Sequence, residues 1–414
     1  MTLSEELQWR GLIKDKTFTD STWLDTPKTF YLGSDCSSDS LTIGNLAIYM
    51  LARHLAEHGW KAVLLVGGAT SLIGDPGGKD EERQLKDREE IAHNVAAIKT
   101  QVQRLFANNT FDLVDNYDWF KDIGYLEFLR EVGKHYSMTE LVQRDFIANR
   151  MGEGGSGISY AEFSYSLIQG YDYWWLFKNK GVQLQIGGSD QWGNMLSGAP
   201  LIRKKEGKEA HALSIPLVID KATGKKFGKS EAGAIWLDEK RTPVFKFYQF
   251  WINVSDESVE EYLKIYTLLP KEELERLLIE HRQDPKQRAA QVRLAYEATA
   301  LVHGEENAKK QKRIADAIRT QNPSGLSQSE FATIKEEMPF TNVKVVDISV
   351  MKVLTDTGLA SSNTEARRLI EERAISINNV KTGKSNLDAS DFVEGHAFLR
   401  KGKAIENTAL IELG

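Results

Sequence analysis

A small-residue turn at Gly33–Ser40 separates a short apolar run from a helical pattern that begins near Leu41. Ile43, Leu46, Ala47, Met50, Leu51 and Leu55 recur there at three- and four-residue steps, and Gly59 is placed to stop the helix. Such a turn exposes free backbone N–H groups at the positive end of a helix dipole. That end favours an anion by roughly 0.3–1 kcal/mol, so it is a natural seat for phosphate, although the same turn also serves simple chain reversal. Far downstream, DKATGKKFGKSEAG carries Lys221, Lys225, Lys226 and Lys229 among glycines. This loop reads either as a solvated basic turn or as a lid whose ammonium groups neutralise a departing polyphosphate. A second glycine cluster, GGATSLIGDPGGK at 67–79, contains Asp75 and Lys79, and Arg83 follows. Its glycines allow close approach to the backbone. Asp75 reads as a ligand or as a turn former before Pro76.

Tyr165, Gln169 and Asp172 fall at steps of four and three, so they share one helical face. The helix also carries Trp174, Trp175 and Phe177. If it is buried, the Asp172 carboxylate needs a partner; the other reading is a solvated face. GGSDQWGN at 187–194 follows a further apolar run, and there Ser189 or Asp190 can cap a helix. Asp190 at a strand end can instead take the two hydroxyls of a ribose.

These residues need a frame. Lys28–Leu32, Ala62–Val66, Asp112–Asn116, Val182–Ile186 and Leu213–Val218 read as strands. Helical periods lie between them, including Ile91, Val95, Ile98, Val102 and Leu105. The alternation predicts an α/β fold with a Rossmann-like, doubly wound parallel sheet, and ligands in such sheets sit at strand carboxyl ends, where Asn116 falls. Residues 118–160 interrupt the alternation and contain GEGGSG, so they read as an insertion between the halves of the sheet. Leu3–Leu12 reads as a peripheral amphipathic helix.

Composition sets the limits. With 53 basic and 59 acidic residues, the net charge of −6 excludes a uniformly basic nucleic-acid coat but not a local basic face. The single cysteine, Cys36, rules out a disulfide framework and a cysteine-rich zinc site, and reads as a small turn residue rather than a reactive thiol. No apolar run approaches the roughly 20 residues of a membrane span. Residues 1–12 lack the order of a signal peptide. These features point to a soluble protein of a reducing cytoplasm or of an organelle, with no membrane partner.

TIGN (Thr42–Asn45) and KFGKS (Lys226–Ser230) resemble the two signatures of class I aminoacyl-tRNA synthetases, usually written HIGH and KMSKS. YLGSD, GGATSLIGDPGGK, NYDW, FSYSLIQGYD, LQIGGSDQWGN and KFGKS occur in the order and spacing of bacterial-type tyrosyl-tRNA synthetases. The resemblance spans nearly the whole chain. It implies that Tyr31 and Asp172 bind a substrate phenol. It implies that Asp75, Tyr165 and Gln169 cage an ammonium, with Asn116 in support, and that Gln191 lies near the α-carbon and carboxylate. Gly33 and Asp35 would line the nucleotide side, Asp190 with Gly188 the ribose, and Leu217 and Val218 the adenine. Lys79, Arg83, Lys226 and Lys229 would surround pyrophosphate, with Ser230 at the hydroxyl position of the lid. The partners implied are L-tyrosine, ATP with Mg²⁺ held through its phosphates, and tRNA(Tyr). No protein-bound metal is expected.

One departure stands out: both histidines of HIGH are replaced, by Thr42 and Asn45. Asn45 remains a suitable donor to ribose or phosphate, whereas Thr42 is shorter and neutral. The expectation is that Lys79, Arg83 and the lid lysines carry more of the phosphate stabilisation.

The predicted domains are a catalytic domain at 1–235, with its connective insertion at about 118–160; an α-helical anticodon-arm domain at 236–322; a linker at 323–345; and an RNA-binding domain resembling a ribosomal-protein module at 346–414. His281–Thr320 holds nine Lys/Arg against five Asp/Glu, which suits phosphate contact or a solvated face. Ser362 with Glu365 makes a capping box before EARRLIEER. Arg367, Arg368, Arg373, Lys381 and Lys384 are candidate phosphate contacts. The family implies a homodimer through 118–160. Rival readings are a tryptophan-specific relative, a small-molecule adenylyltransferase and a non-enzymatic RNA-binding paralogue. Asp172 opposite Tyr31 speaks against the first, and the long tail against the second.

Overall fold

The computed structural model describes residues 1–75, 86–152, 155–219, 224, 227, 229–230, 233–344 and 348–414. In chain order the first elements are α1 (Leu3–Arg10), β1 (Thr29–Ser34), α2 (Ile43–Glu57), β2 (Lys61–Val66), α3 (Gly68–Ile73), α4 (Arg88–Leu105) and β3 (Phe111–Asp115). Four short helices follow: α5 (Tyr117–Phe120), α6 (Tyr125–Glu131), α7 (Met138–Val142) and α8 (Asp145–Met151). Next come α9 (Tyr160–Lys180), β4 (Val182–Gly188), α10 (Trp192–Met195), α11 (Gly198–Glu206), β5 (His211–Ile215), β6 (Lys229–Ser230) and β7 (Gly233–Ala234).

The five long strands form one parallel sheet in the order β3-β2-β1-β4-β5. The chain moves outward from β1 to one edge, then returns to β4 on its other side. Strand order therefore reverses between β1 and β4, and a crevice opens at their carboxyl ends. β2 is buried at every position after Lys61, as a central parallel strand covered on both faces should be. On α9, a capping box between Ser159 and Glu162 starts the helix and Gly181, at φ 69°, ends it. Its inner face brings Tyr173 and Leu176 against Tyr31, Val63 and Leu65.

The first part of the glycine cluster, Gly68–Ile73, is helical. One local expectation changes: α1 is not merely peripheral. Leu3 and Leu7 are buried, and the Arg10 guanidinium donates to the carbonyls of Lys264, Thr267 and Leu269 at 2.9, 3.1 and 2.7 Å.

The interruption at 118–160 has its own small core, with Leu141 and Ile147 against Phe163 and Leu167. Arg150 and Glu162 form a buried bidentate pair at 2.9 and 3.0 Å. Yet Tyr125, Leu126, Met138, Met151 and Tyr160 are exposed, Leu126 by 79%.

The remaining helices are α12 (Val244–Ile252), α13 (Asp256–Tyr266), α14 (Lys271–Gln283), α15 (Ala289–His303), α16 (Glu305–Thr320) and α17 (Gln328–Glu337). The chain divides into two units: Met1–Pro243 with Val254–Leu294, and Val244–Asn253 with Ala295–Gly414. Within the stretch expected as a linker, α17 is a helix capped by Ser327, with Phe331 and Ile334 buried. Apart from buried Glu330, it offers only two buried apolar side chains three positions apart, a weak signal in sequence.

The second unit ends in β8 (Phe340–Val343), β9 (Ile348–Ser349), α18 (Val350–Asp356), α19 (Asn363–Glu371), β10 (Ile375–Ile377), β11 (Val380–Thr382), β12 (Asn386–Leu387), β13 (His396–Lys401) and β14 (Thr408–Leu413). Its main sheet runs β11-β10-β13-β14-β8. Phe398 and Leu410 pack with Ile314 and Ile318 of α16 and with α17. Buried Arg400 donates to the carbonyls of Ile318 and Arg319 in the last turn of α16.

Candidate active site

The crevice at the ends of β1 and β4 is lined by Tyr31, Gly33, Asp35, Thr42, Asn45, Asp75, Tyr165, Gln169, Asp172, Gly188, Asp190, Gln191, Leu217 and Val218. Fourteen of the residues singled out from sequence thus meet in one cleft.

At its deep end, Asp172 is almost wholly buried. Its Oδ2 accepts from Asn116 Nδ2 at 3.0 Å and its Oδ1 from Trp119 Nε1 at 2.9 Å. Burial pushes the carboxyl up to about 7, although those two hydrogen bonds pull the other way. Each carboxylate oxygen still has accepting capacity for a ligand. Tyr31, also buried, has a hydroxyl with no hydrogen-bond partner among the described residues. Burial, and then the Asp172 charge, push its phenol well above the ordinary value, so Tyr31 stays an O–H donor. The Tyr31 ring rests on Tyr173 at 5.3 Å, and the Tyr173 hydroxyl donates to the His211 carbonyl at 2.6 Å.

Asp75 is the second buried carboxylate. Its Oδ2 accepts from Gln191 Nε2 at 2.6 Å and its Oδ1 from Asn194 Nδ2 at 3.1 Å. Asn116, expected in support of the ammonium cage, donates to the Asp172 carboxylate. Its Nδ2 also reaches Thr70 Oγ1 at 3.2 Å, and its Oδ1 accepts from the Ala69 amide at 2.7 Å. The reason is topological: Asn116 directly follows β3 and lies between α3 and α9.

On the outer side, Asp35 Oδ1 accepts from Ser71 Oγ at 2.9 Å and from the Ser37 amide at 3.2 Å. Asn45 Oδ1 accepts from both the Thr42 amide and the Thr42 hydroxyl, each at 2.9 Å. Thr42 and Asn45 thus close the first turn of α2 on each other, and the Asn45 amide nitrogen is left as the outward donor. At Gly188 a Cβ would lie 2.6 Å from Asp190 Oδ1, so glycine lets Asp190 fold back over the strand end. Cys36 is buried, its thiol pushed up to about 12 by that burial, in keeping with an inert turn residue.

Lys79, Arg83 and Lys226 lie outside the described residues, as do Lys221 and Lys225. For Lys229 and Ser230 only the backbone is described, pairing with Ala234 and Gly233. Phe227, between them, is buried, lines the cleft and packs on Tyr262 of α13 with ring centroids 4.1 Å apart.

Sequence reasoning assigned no role to Trp119, Thr70 and Asn194. Trp119 stood in the NYDW run and Asn194 closes GGSDQWGN. What marked neither was the side they face, which depends on short helices starting at strand ends.

In the second unit, Arg367, Arg368, Arg373 and Lys381 are exposed. Lys384 is tied to Asp388 and Asp391 at 3.0 and 2.8 Å. Ser362 caps α19 as expected, but the Glu365 carboxylate turns to the Ser361 amide and hydroxyl instead of completing the box on Ser362.

A family model described as tRNA synthetases class I (W and Y) matches residues 25–319, and the tyrosine–tRNA ligase SYY-like C-terminal domain matches residues 330–405. A tyrosine–tRNA ligase of Bacteroides thetaiotaomicron is 41% identical, over 97% of this chain and 96% of its own. The chain belongs to the tyrosyl-tRNA synthetases. A tyrosine–tRNA ligase 2 of Bacillus cereus is 39% identical over the full length of both chains. The crystal structure of a C-terminally truncated mitochondrial tyrosyl-tRNA synthetase from Aspergillus nidulans superposes with a TM-score of 0.69 at 31% identity, covering 77% of this chain and 94% of that one. A tryptophanyl-tRNA synthetase of Encephalitozoon cuniculi, at 14% identity and a TM-score of 0.53, shares the fold. As a tyrosyl-tRNA synthetase, the enzyme uses ATP to join tyrosine to tRNA. Among the described residues no helix is long and apolar enough to cross a membrane.

Proposed function

We propose that the deep end of the cleft holds the phenol of tyrosine between Tyr31 and Asp172, with its ammonium at Asp75, Tyr165 and Gln169 and its carboxylate near Gln191. ATP then lies across the start of α2, with ribose on Asp190 beside Gly188, adenine against Leu217 and Val218, and Gly33 and Asp35 along the nucleotide. Thr42 and Asn45 meet the phosphates, and Lys79, Arg83, Lys226, Lys229 and Ser230 gather round pyrophosphate. Mg²⁺, held through the phosphates, would neutralise the triphosphate.

The tyrosine carboxylate attacks the α-phosphorus. A carboxylate oxygen–phosphorus bond forms as the bond to pyrophosphate breaks, giving tyrosyl-adenylate. A ribose hydroxyl at the tRNA 3′ end then attacks the carbonyl and AMP leaves. No protein nucleophile is needed: the gain comes from alignment and from stabilising charge on the phosphates. The observation that carries this reading is the unpartnered Tyr31 hydroxyl beside an Asp172 carboxylate already held by two donors. Phenylalanine would leave both groups unpaired.

Tyrosine-dependent exchange of pyrophosphate into ATP tests the assignment. Exchange is expected with tyrosine and not with tryptophan. Exchange driven by tryptophan, or none, contradicts it.

For the rest of the chain we infer the domain roles expected from sequence: catalysis at 1–235, an anticodon arm at 236–322, a connecting segment at 323–345, and an RNA-binding module at 346–414. Support comes from the exposed arginines on and just after α19. Within His281–Thr320 several cations are already paired, including Arg313 with Glu330 and Lys309 with Glu306, which narrows the set free for phosphate. We also infer a cytoplasmic homodimer joined through 118–160, with one tRNA spanning both subunits. The exposed apolar side chains of that segment support the interface.

A further inference from the structure

One polar side chain of the cleft has no task in the scheme above. Gln185, on β4, is 3% exposed and lines the cleft. Its carboxamide oxygen is buried without a hydrogen-bond partner among the described residues. A β-bulge brings it there. Thr29 pairs with Val182, but Phe30 pairs with Leu184, so Gln183 is an extra residue in β4. Without that residue, Tyr31 would stand beside Leu184; with it, Tyr31 pairs with Gln185. Paired residues on neighbouring strands project from one face of the sheet. On this face Tyr31 packs with Val63, Leu65 and Tyr173.

We propose that Gln185 is a specificity residue, the third polar group reading the phenol oxygen. The proposal rests on the assignment of Tyr31 and Asp172 to that end of the substrate. A phenol oxygen offers one proton and two lone pairs. Asp172 accepts the proton, the Tyr31 O–H donates to one lone pair, and the Gln185 amide N–H donates to the other. A carboxamide can present either end by turning about its last torsion. An occupant without the oxygen leaves the buried amide unpaired, so its presence favours tyrosine over an apolar analogue.

The test is the Gln185→Met variant, similar in length and without the amide, in pyrophosphate exchange with L-tyrosine and L-phenylalanine. A loss of about tenfold or more in kcat/KM for tyrosine is expected, with kcat/KM for phenylalanine unchanged or raised. Parallel loss for both amino acids, or no change for either, overturns the proposal. Should Gln185→Met not fold, Gln185→Asn, which withdraws the amide by one methylene, is read by the same ratio and the same two outcomes. Tyr31→Phe and Asp172→Asn run alongside. If they collapse the tyrosine preference and Gln185→Met does not, Gln185 alone is misassigned. If they leave it intact, the assignment of the phenol end itself fails.

Discussion

Asn116 donates to Asp172 Oδ2 at 3.0 Å, tying the residue after the third strand to the middle of the long helix that crosses the sheet. The bond fixes the carboxylate where a ring hydroxyl would arrive, and the indole of Trp119 holds the other oxygen. A hydrogen bond to a charged group contributes about 1.5–3 kcal/mol. Two of them do not overcome burial here, since the carboxyl remains displaced up to about 7.

That displacement sets a pH dependence of folding. The folded Asp172 binds its proton more tightly than the unfolded one, whose value is near 3.8. Between those values the folded state holds more protons, so stability falls as pH rises from about 4 to about 7 and levels off above. The loss from this group is on the order of 2–4 kcal/mol. Denaturant unfolding at pH 5 and pH 8 should show a smaller decline in Asp172→Asn than in the parent chain. Equal declines would mean the carboxyl titrates normally.

Thr42 and Asn45 stand where HIGH has histidines, and their side chains are spent partly on each other. Thr42→Ala should therefore lower the rate of tyrosine activation modestly, within about tenfold, with a capping loss near 1 kcal/mol. Lys229→Ala should lower the rate by about a hundredfold or more, the result expected of the proposed role for the lid lysine on developing phosphate charge. Single-turnover adenylate formation ranks the two. The reverse order would refute the division of labour between them.

The exposed apolar patch at 118–160 predicts a self-complementary contact. Native mass should be twice that of the chain, and Leu126→Glu should shift it toward one chain. Analytical ultracentrifugation decides. A parent chain that sediments as a monomer at micromolar concentration rejects the interface.

Much of this was legible from residue order. Buried parallel strands announce themselves as apolar runs, so the sheet and its strand-end residues followed from 62–66, 182–186 and their glycines. The face shared by Tyr165, Gln169 and Asp172 followed from helical period. Other features depend on packing that no local pattern encodes. The Asn116 contact with Asp172 depends on where that side chain turns between α3 and α9. Gln185 reached the cleft through a one-residue bulge, and a strand read by strict alternation from Val182 would have put Leu184 there. Helix α17 hid in a polar stretch because only Phe331 and Ile334 anchor it.

The central claim is that Tyr31 and Asp172 together hold the ring hydroxyl. The most direct measurement is the ratio of kcat/KM for tyrosine over phenylalanine in pyrophosphate exchange, taken for the parent chain, Tyr31→Phe and Asp172→Asn. The ratio should fall in each variant, further for Asp172→Asn, mainly through loss of activity with tyrosine. A ratio unchanged in both, with tyrosine still activated at the parent rate, would contradict the claim.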